Sequence, residues 1–407
     1  MKKIITFGKV EDGALQQAEN CLVEAEYIAL MGDNHKGYGM PVGGVAVYKD
    51  KISPAGVGFD IACGNKAVKL NLKYPEVKDY LSTIADKIWD TVSFGIGRKN
   101  ETPVSHEIFE RSVWEDIDFL KENPELKKKA MAQLGTIGSG NHYVDVFKDE
   151  QDFIWVGIHF GSRGLGHTIA SHFMKLAGDN VNIMDETPHT LDVNSKDGQD
   201  YIACMKLAGD YAYAGRDWVC QTVADIIGAD IIDEVHNHHN FAWEEDHNGE
   251  KYWVVRKGAT PAFPEQRGFV GSNMEDSSVI LKGIESEKSK SAFYSTMHGA
   301  GRIMSRTQAT GKTKITKVER FKPDGTPYLF KQKTLVSKGL VDFDAVKERM
   351  YNKGIILKGA GADEAPEVYK KLSDVLEEHK GTIEVLHTLT PLIVCMAGGD
   401  EFDPYKD

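Results

Sequence analysis

The chain holds 407 residues, 41% of them apolar and 27% charged, with a formal net charge of −12. That balance is ordinary for a globular enzyme and counts against a nonspecific nucleic-acid binder, while leaving room for a local basic groove. The length exceeds the usual single-core size, so two domains or one large mixed domain are expected.

In chain order, residues 14–31 read as a helix running into a short buried strand. Residues 41–72 mix β-branched runs with Gly-rich turns, the pattern of strands joined by tight loops. Apolar residues at three- and four-residue spacing around Tyr80, Ile84, Ile88 and Trp89 predict helices across 74–131. Strands follow at 143–147 and 153–159, then helices at 166–174 and 198–228. From 231 to 281 the pattern is β again, with histidines in the loops. Residues 307–340 are rich in lysine, and Lys322-Pro323-Asp324-Gly325-Thr326-Pro327 is a turn signal, which predicts an exposed hairpin over about 314–340. A helix at 365–379 and a strand at 392–396 complete the chain. Strands and helices alternate without a regular βαβ rhythm, so the fold class expected is α+β.

Five scattered cysteines (Cys21, Cys63, Cys204, Cys220 and Cys395) form no CxxC pair and suggest no disulfide framework. No stretch approaches the roughly 18–20 apolar residues that a spanning helix needs, and a cytoplasmic location without membrane partners is expected.

Chemistry concentrates in glycine-rich turns. Asp60 and Cys63 stand three apart in Gly58-Phe59-Asp60-Ile61-Ala62-Cys63-Gly64, where both can point at one ion; a turn Asp before a buried Cys explains the segment equally well. The run 134–142 ends in Asn141 and His142, and its glycine amides suit an anion nest. His159 ends a strand, and the loop after it opens a helix at Ser162-Arg163, a natural phosphate seat with a bidentate anchor. His236-Asn237-His238-His239-Asn240 is a polar run with three imidazoles, otherwise explicable as a solvated loop. His298, in Met297-His298-Gly299-Ala300-Gly301-Arg302, is sterically open as nucleophile or base, with Arg302 near to steady a phosphoryl group; capping or packing is the plainer account. Thr310-Gly311-Lys312-Thr313 is not a P-loop, because Arg306 stands where its first glycine belongs. Asp60, Cys63, His142, His159 and His239 exceed a tetrahedral site and suit two ions sharing a thiolate, with donor softness favouring zinc or cobalt over manganese. The residues alone thus point to a metallo-phosphotransferase or hydrolase.

At these clusters the sequence resembles the RtcB family of RNA ligases. The matching stretches are Asp33-Asn34-His35-Lys36-Gly37-Tyr38-Gly39, the GVGFDIACG, GTIGSGNH, HFGSRGLG and HHN segments, Arg256-Lys257-Gly258-Ala259, and HGAGR. They run in order from about residue 12 to residue 398. The resemblance implies one large catalytic domain over 1–407, with mixed and antiparallel sheets surrounded by helices, a helical insertion near 74–131 and the lysine-rich hairpin. It implies joining of RNA ending in a 3′-phosphate or 2′,3′-cyclic phosphate to RNA with a 5′-hydroxyl, as in tRNA splicing or RNA repair. GTP, two manganese ions and a guanylylated histidine, here His298, come with it. Asp60, Cys63, His142, His159 and His239 would be the metal ligands. Asn141, Asn240, Asp145 and Ser272 would meet the nucleotide, and Arg163, Lys257 and Arg302 its phosphates. A protein activator is compatible with the resemblance. A 2′,3′-cyclic phosphodiesterase that has lost ligation is the alternative enzyme, and a binding protein with a structural metal the non-enzymatic one.

Three departures fall where that family contacts the base. Asp145 replaces a glutamate, Val270-Gly271-Ser272-Asn273-Met274-Glu275 replaces a Pro-Gly-Ser-Met-Gly loop, and Ala397-Gly398 replaces a Lys-Gly pair. They imply relaxed or altered guanine selectivity. Met31-Gly32-Asp33-Asn34-His35 also departs from the usual Met-Pro-Asp-Val-His.

Overall fold

A computed structural model describes residues 3–180, 184–321 and 326–399. Its centre is an eight-stranded sheet in the order Arg267–Val270, Ser278–Gly283, Ile383–Gly398, Tyr143–Lys148, Phe153–Phe160, Gly64–Lys73 and Ile231–His238, with Ile356–Ala360 paired in parallel to Ile383–Gly398. The pairs along the main path are antiparallel. The sheet curls until its two edges meet, where Arg267 bonds Asp233 at 2.7 and 2.8 Å and also reaches the Glu234 carbonyl. A second, five-stranded sheet runs Lys3–Thr6, Tyr27–His35, Val42–Tyr48, Glu250–Lys257 and Asn240–His247.

Both faces of the central sheet are covered, so its strands read as nearly continuous apolar runs. Val144 and Val146 face one way, into a core with Val68, Val156 and Ile158 that is closed by the helix Leu81–Thr91 and by Val219 and Val223. Tyr143 and Phe147 face the other way, with Ala67, Trp155 and Phe269. Asp145 has the same strand parity as Tyr143 and Phe147, so it enters an apolar layer.

The α+β expectation holds, with several boundaries moved. The first helix is Asp12–Cys21, and Tyr27–His35 is a full strand rather than a short one. The predicted helical stretch 74–131 is helical only in pieces, the longest being Leu81–Thr91 and Pro124–Gln133. The helix expected at 198–228 is Lys196–Ile227, 32 residues capped by the Ser195 hydroxyl and ended at Gly228 in the left-handed region. The helix expected at 365–379 shrinks to Leu372–Glu378, because the short 3-10 turn Pro366–Val368 ends in extended backbone at Tyr369, and the chain is still extended at Lys371. The final strand, expected at 392–396, spans Ile383–Gly398 and pairs on both sides. The lysine-rich segment forms the antiparallel pair Gly311–Phe321 and Pro327–Lys338, while most of its predicted turn lies outside the described residues. Among the described residues, no helix is long and apolar enough to cross a membrane.

Candidate active site

Register gathers the site. Cys63 immediately precedes Gly64–Lys73, His142 precedes Tyr143–Lys148, His159 lies near the end of Phe153–Phe160, and His239 follows Ile231–His238. In the ladder Gly64 pairs with both Phe160 and His238, and Tyr143 pairs with His159, so four neighbouring strands bring these residues to one end of the sheet. Asp60 arrives on the turn before Cys63, whose amide donates to the Asp60 carbonyl at 3.1 Å.

Two donor groups result, Asp60–Cys63–His142 and Cys63–His159–His239, each with its ligand atoms within 4.8 Å of one another. Cys63 belongs to both. Its Sγ lies 3.2 Å from His159 Nε2 and 3.5 Å from His142 Nε2, while His159 Nε2 and His239 Nε2 are 3.2 Å apart. His142 Nε2 faces Asp60 Oδ2 at 3.1 Å.

The tautomers are set from outside the cluster. His142 Nδ1 donates to the Ile137 carbonyl at 3.0 Å, and His159 Nδ1 to that of Asn141 at 3.2 Å. The His159 ring therefore turns an Nε2 lone pair inward, towards the thiol and another imidazole, while His142 Nε2 faces the Asp60 carboxylate. Converging lone pairs in a buried space repel unless a proton or cation sits among them, and this donor set fits metal ions. Burial, then the other rings, holds His159 and His239 well below the ordinary histidine value, so they stay neutral and able to ligate. Burial also raises Asp60, but the hydrogen bond and charge of His142 outweigh it and bring the carboxyl to about 2. The Cys63 thiol is pushed well up by burial and by Asp60, so a cation is what would favour its thiolate.

Two glycines make room. A Cβ on Gly161 would collide with the Asp60 carboxylate, and one on Gly138 with the Arg163 guanidinium. Arg163 itself takes φ +56° at the start of the helix Arg163–Ala177, a conformation costly for a non-glycine residue.

His298 follows the short strand Ser295–Met297, which pairs with Ala259–Pro261. Its Nδ1 lies 2.6 Å from Asp33 Oδ2, the same oxygen accepts the His298 and Gly299 amides at 3.0 and 3.3 Å, and its ring centroid is 4.7 Å from that of His239. Burial raises the Asp33 carboxyl, yet the bonds and charge from His298 carry it below its ordinary value. Asp33 is thus an ionised anchor for Nδ1, which leaves Nε2 as the ring nitrogen turned away from that anchor.

Asp60, Cys63, His142, His159, His239 and His298 line one cavity of about 590 Å³, as do Asn141, Asn240, Asp145, Ser272, Lys257 and Arg302. Asn240 is a brace, donating to the Asp60 carbonyl at 3.2 Å and accepting the Gly258 amide at 2.7 Å. Lys257 reaches the Tyr38 carbonyl. Arg302 is tied to the Asp363 carbonyl at 2.8 Å and to Tyr369 at 3.3 Å. Arg163 lies behind the cavity against Gly138 rather than on its wall. At the far end, Asp145 Oδ1, the Tyr143 hydroxyl and the Ser272 hydroxyl are buried without hydrogen-bond partners. Burial pushes the Asp145 carboxyl well above its ordinary value.

His236 and His238, two members of the imidazole run, are not in the cluster. They bond Arg216 at 2.8 Å each. Arg216, wholly buried in the long helix, also donates to the carbonyls of Ala62 and Phe160 at 3.0 and 2.6 Å. Nothing in its sequence neighbourhood marks it. Asp33 sits in a quoted motif, but only the structure gives it a role.

A family model described as tRNA-splicing ligase RtcB matches residues 15–338. The tRNA-splicing ligase RtcB of Archaeoglobus fulgidus is 31% identical, over 94% of this chain and 91% of its own. The RNA-splicing ligase RtcB of Escherichia coli is 29% identical over 92% and 90%, and the tRNA-splicing ligase RtcB of Methanococcus maripaludis 30% over 92% and 88%. On a match of that extent the chain belongs to the RtcB family.

Proposed function

We propose that this protein is a cytoplasmic, metal-dependent RNA ligase, joining a 3′-phosphate or 2′,3′-cyclic phosphate end to a 5′-hydroxyl end through a guanylyl group carried on His298. The observation that carries the reading is the Asp33–His298 pair beside a five-ligand cluster, within one cavity. Family membership supports RNA-end joining as in tRNA splicing or repair. The domain reading is a single catalytic unit over 1–407, to which the helices of 74–131 and the lysine-rich hairpin are additions.

Asp60, Cys63 and His142 would hold one manganese ion, and Cys63, His159 and His239 a second. Bound there, the ions supply Lewis-acid stabilisation of phosphoryl oxygens. A cyclic end is first opened by water to a 3′-phosphate. His298 then presents Nε2 to the α-phosphorus of GTP; an N–P bond forms, the bond to the β-phosphate breaks, and pyrophosphate leaves. Asp33 keeps the proton on Nδ1 and steadies the ring as it becomes cationic. An RNA 3′-phosphate oxygen takes the guanylyl group, breaking the N–P bond and returning neutral His298. The 5′-hydroxyl attacks that RNA phosphorus, GMP departs, and the hydroxyl proton goes to solvent. Lys257 and Arg302, on the cavity wall, offer positive charge to the phosphates, and Arg163 adds its charge from behind the wall. Asn141 and Asn240 fix the ligand-bearing turns beside the nucleotide.

The three unpartnered groups at Asp145, Tyr143 and Ser272 favour a polar ligand at that end, and the base of the nucleotide fits it. The departures at Asp145, Asn273 and Ala397 favour relaxed guanine selectivity. Label transfer from each of the four α-labelled NTPs, alongside joining of matched RNA ends, tests both parts. Wild type should label and join, and His298→Ala should do neither while still opening cyclic ends. Strict use of GTP removes the altered selectivity. Absence of joining with every NTP, with cyclic-end opening intact, would make the protein a phosphodiesterase.

A further inference from the structure

The lysine-rich hairpin has no part in the proposed chemistry. Between Gly311 and Lys338 the sequence carries seven lysines and one arginine against two acids, Glu319 and Asp324, in a chain whose total is −12. Among the described residues, its two strands pair only with each other. Lys312, Lys314, Lys317, Arg320 and Lys338 are exposed, and so are Phe321 at 65% and Leu329 at 64%. At about 3.4 Å per residue, the pair extends roughly 35 Å.

Its root is fixed to the active-site wall. Arg306 and Gln308, in the helix Arg306–Thr310, line the cavity, and the hairpin starts at the next residue, Gly311. The returning chain is pinned to the same helix, with the Leu340 amide on the Gln308 carbonyl at 3.0 Å and the Val341 amide on that of Ala309 at 3.3 Å. The register sets Val318 opposite Phe330, with Lys314 and Arg320 on the same face by strand parity. The Arg320 guanidinium stands 4.1 Å from the centroid of the Phe330 ring.

We propose that this hairpin is a docking arm for single-stranded RNA flanking the end held in the cavity. The proposal rests on the RNA-ligase reading. An acidic protein repels a polyanion overall, so productive approach needs a local basic element near the site. Cations spaced along a strand meet successive phosphates, and exposed rings such as Phe321 and Phe330 offer stacking surfaces for bases. An acidic protein partner would use the cations equally but has less need of exposed rings. RNA is therefore the occupant the composition favours.

The test is the variant K312E/K314E/K317E/R320E, compared with wild type in metal content, thermal unfolding and binding of fluorescent single-stranded RNA across a salt series. Each cation that meets a phosphate contributes about 0.7 to the slope of log affinity against log salt, so the slope should fall by about 3. Affinity at low salt should drop at least about tenfold, while joining of substrates too short to leave the cavity is unchanged. Unchanged RNA affinity and slope in a folded variant overturn the proposal. A wild-type dimer that the variant loses, with RNA binding intact, also overturns it by making the hairpin a contact between copies. If wild type binds RNA through the arm yet never joins ends, the arm stands and the ligase reading falls.

Discussion

Replacing Arg216 with methionine removes one guanidinium that ties together every segment carrying a histidine or cysteine of the Cys63–His159–His239 group. It holds the Ala62 carbonyl beside Cys63, the Phe160 carbonyl beside His159, and the rings of His236 and His238 just before His239. The charge is wholly buried, and these four hydrogen bonds go to rings and carbonyls rather than to a carboxylate. Burial lowers the guanidinium to about 10, while Tyr213, Cys63, Asp217 and Asp60 act in the opposite sense. Methionine fits the volume but takes the guanidinium donor from two buried carbonyls, a loss of up to about 1–3 kcal/mol each. Losing the clamp on the ligand turns should weaken metal binding by about 10–100-fold, as loss of outer-shell support does elsewhere. The assay is calorimetric titration of Mn2+ into chelator-stripped protein, with urea unfolding alongside. Arg216→Lys keeps charge but not the planar fork, so it should bind metal more weakly than wild type and better than Arg216→Met. A folded Arg216→Met variant with wild-type metal affinity would refute the clamp.

Four further outcomes follow from the same geometry. Cys63→Ser should reduce the metal content of both donor groups, whereas Asp60→Ala and His239→Ala should each cost about one ion, as counted by native mass spectrometry. Asp33→Asn should cut label transfer to His298 by about 10²–10⁴-fold with metal content unchanged, since the ring loses its orienting carboxylate. Asp145 has a folded-state value raised by burial, so the folded protein binds more protons than the unfolded chain and stability falls as pH rises above about 4. Asp145→Asn should therefore be more stable than wild type at pH 7, and the gap should close below about pH 4. Asp145→Leu, which removes the acceptor that asparagine would keep, should hold nucleotide at least tenfold less tightly if Asp145 accepts from the base, roughly the 1–3 kcal/mol lost when a buried group goes unpaired; equal nucleotide affinity would remove that role.

Much of this site was legible because its ligands sit at strand ends flanked by glycine, where local sequence reports the constraint directly. Asp60, Cys63, His142 and His159 come from such turns, His239 comes from a run of imidazoles and asparagines, and the register brings all of them to the same end of one sheet. His298 was legible for the same reason. Arg163 and the pair His236 and His238 show the limit. A guanidinium or imidazole in the right motif lies near the site, but which side of a strand or helix it occupies depends on the partner segment. His238 is one residue from His239, and that single step of strand parity carries it to the opposite face, onto Arg216.

Arg216 and Asp33 define what sequence could not supply. Each acts at a distance of 2.6–3.0 Å on something far along the chain: Arg216 on the Ala62 and Phe160 carbonyls, Asp33 on His298. Arg216 has no periodic or motif signal of its own, and the motif that holds Asp33 does not name its partner, because each role is set by what long-range packing lays against the residue. A buried arginine is costly in an apolar layer and persists only where its donors are answered. Here the answers are backbone carbonyls and rings of the ligand-bearing segments, so the cost of burying the charge and the rigidity of the metal cluster are two sides of one arrangement. That is why the Met substitution at Arg216 should be felt first in metal affinity rather than in the distant sheet edge closed by Arg267 and Asp233.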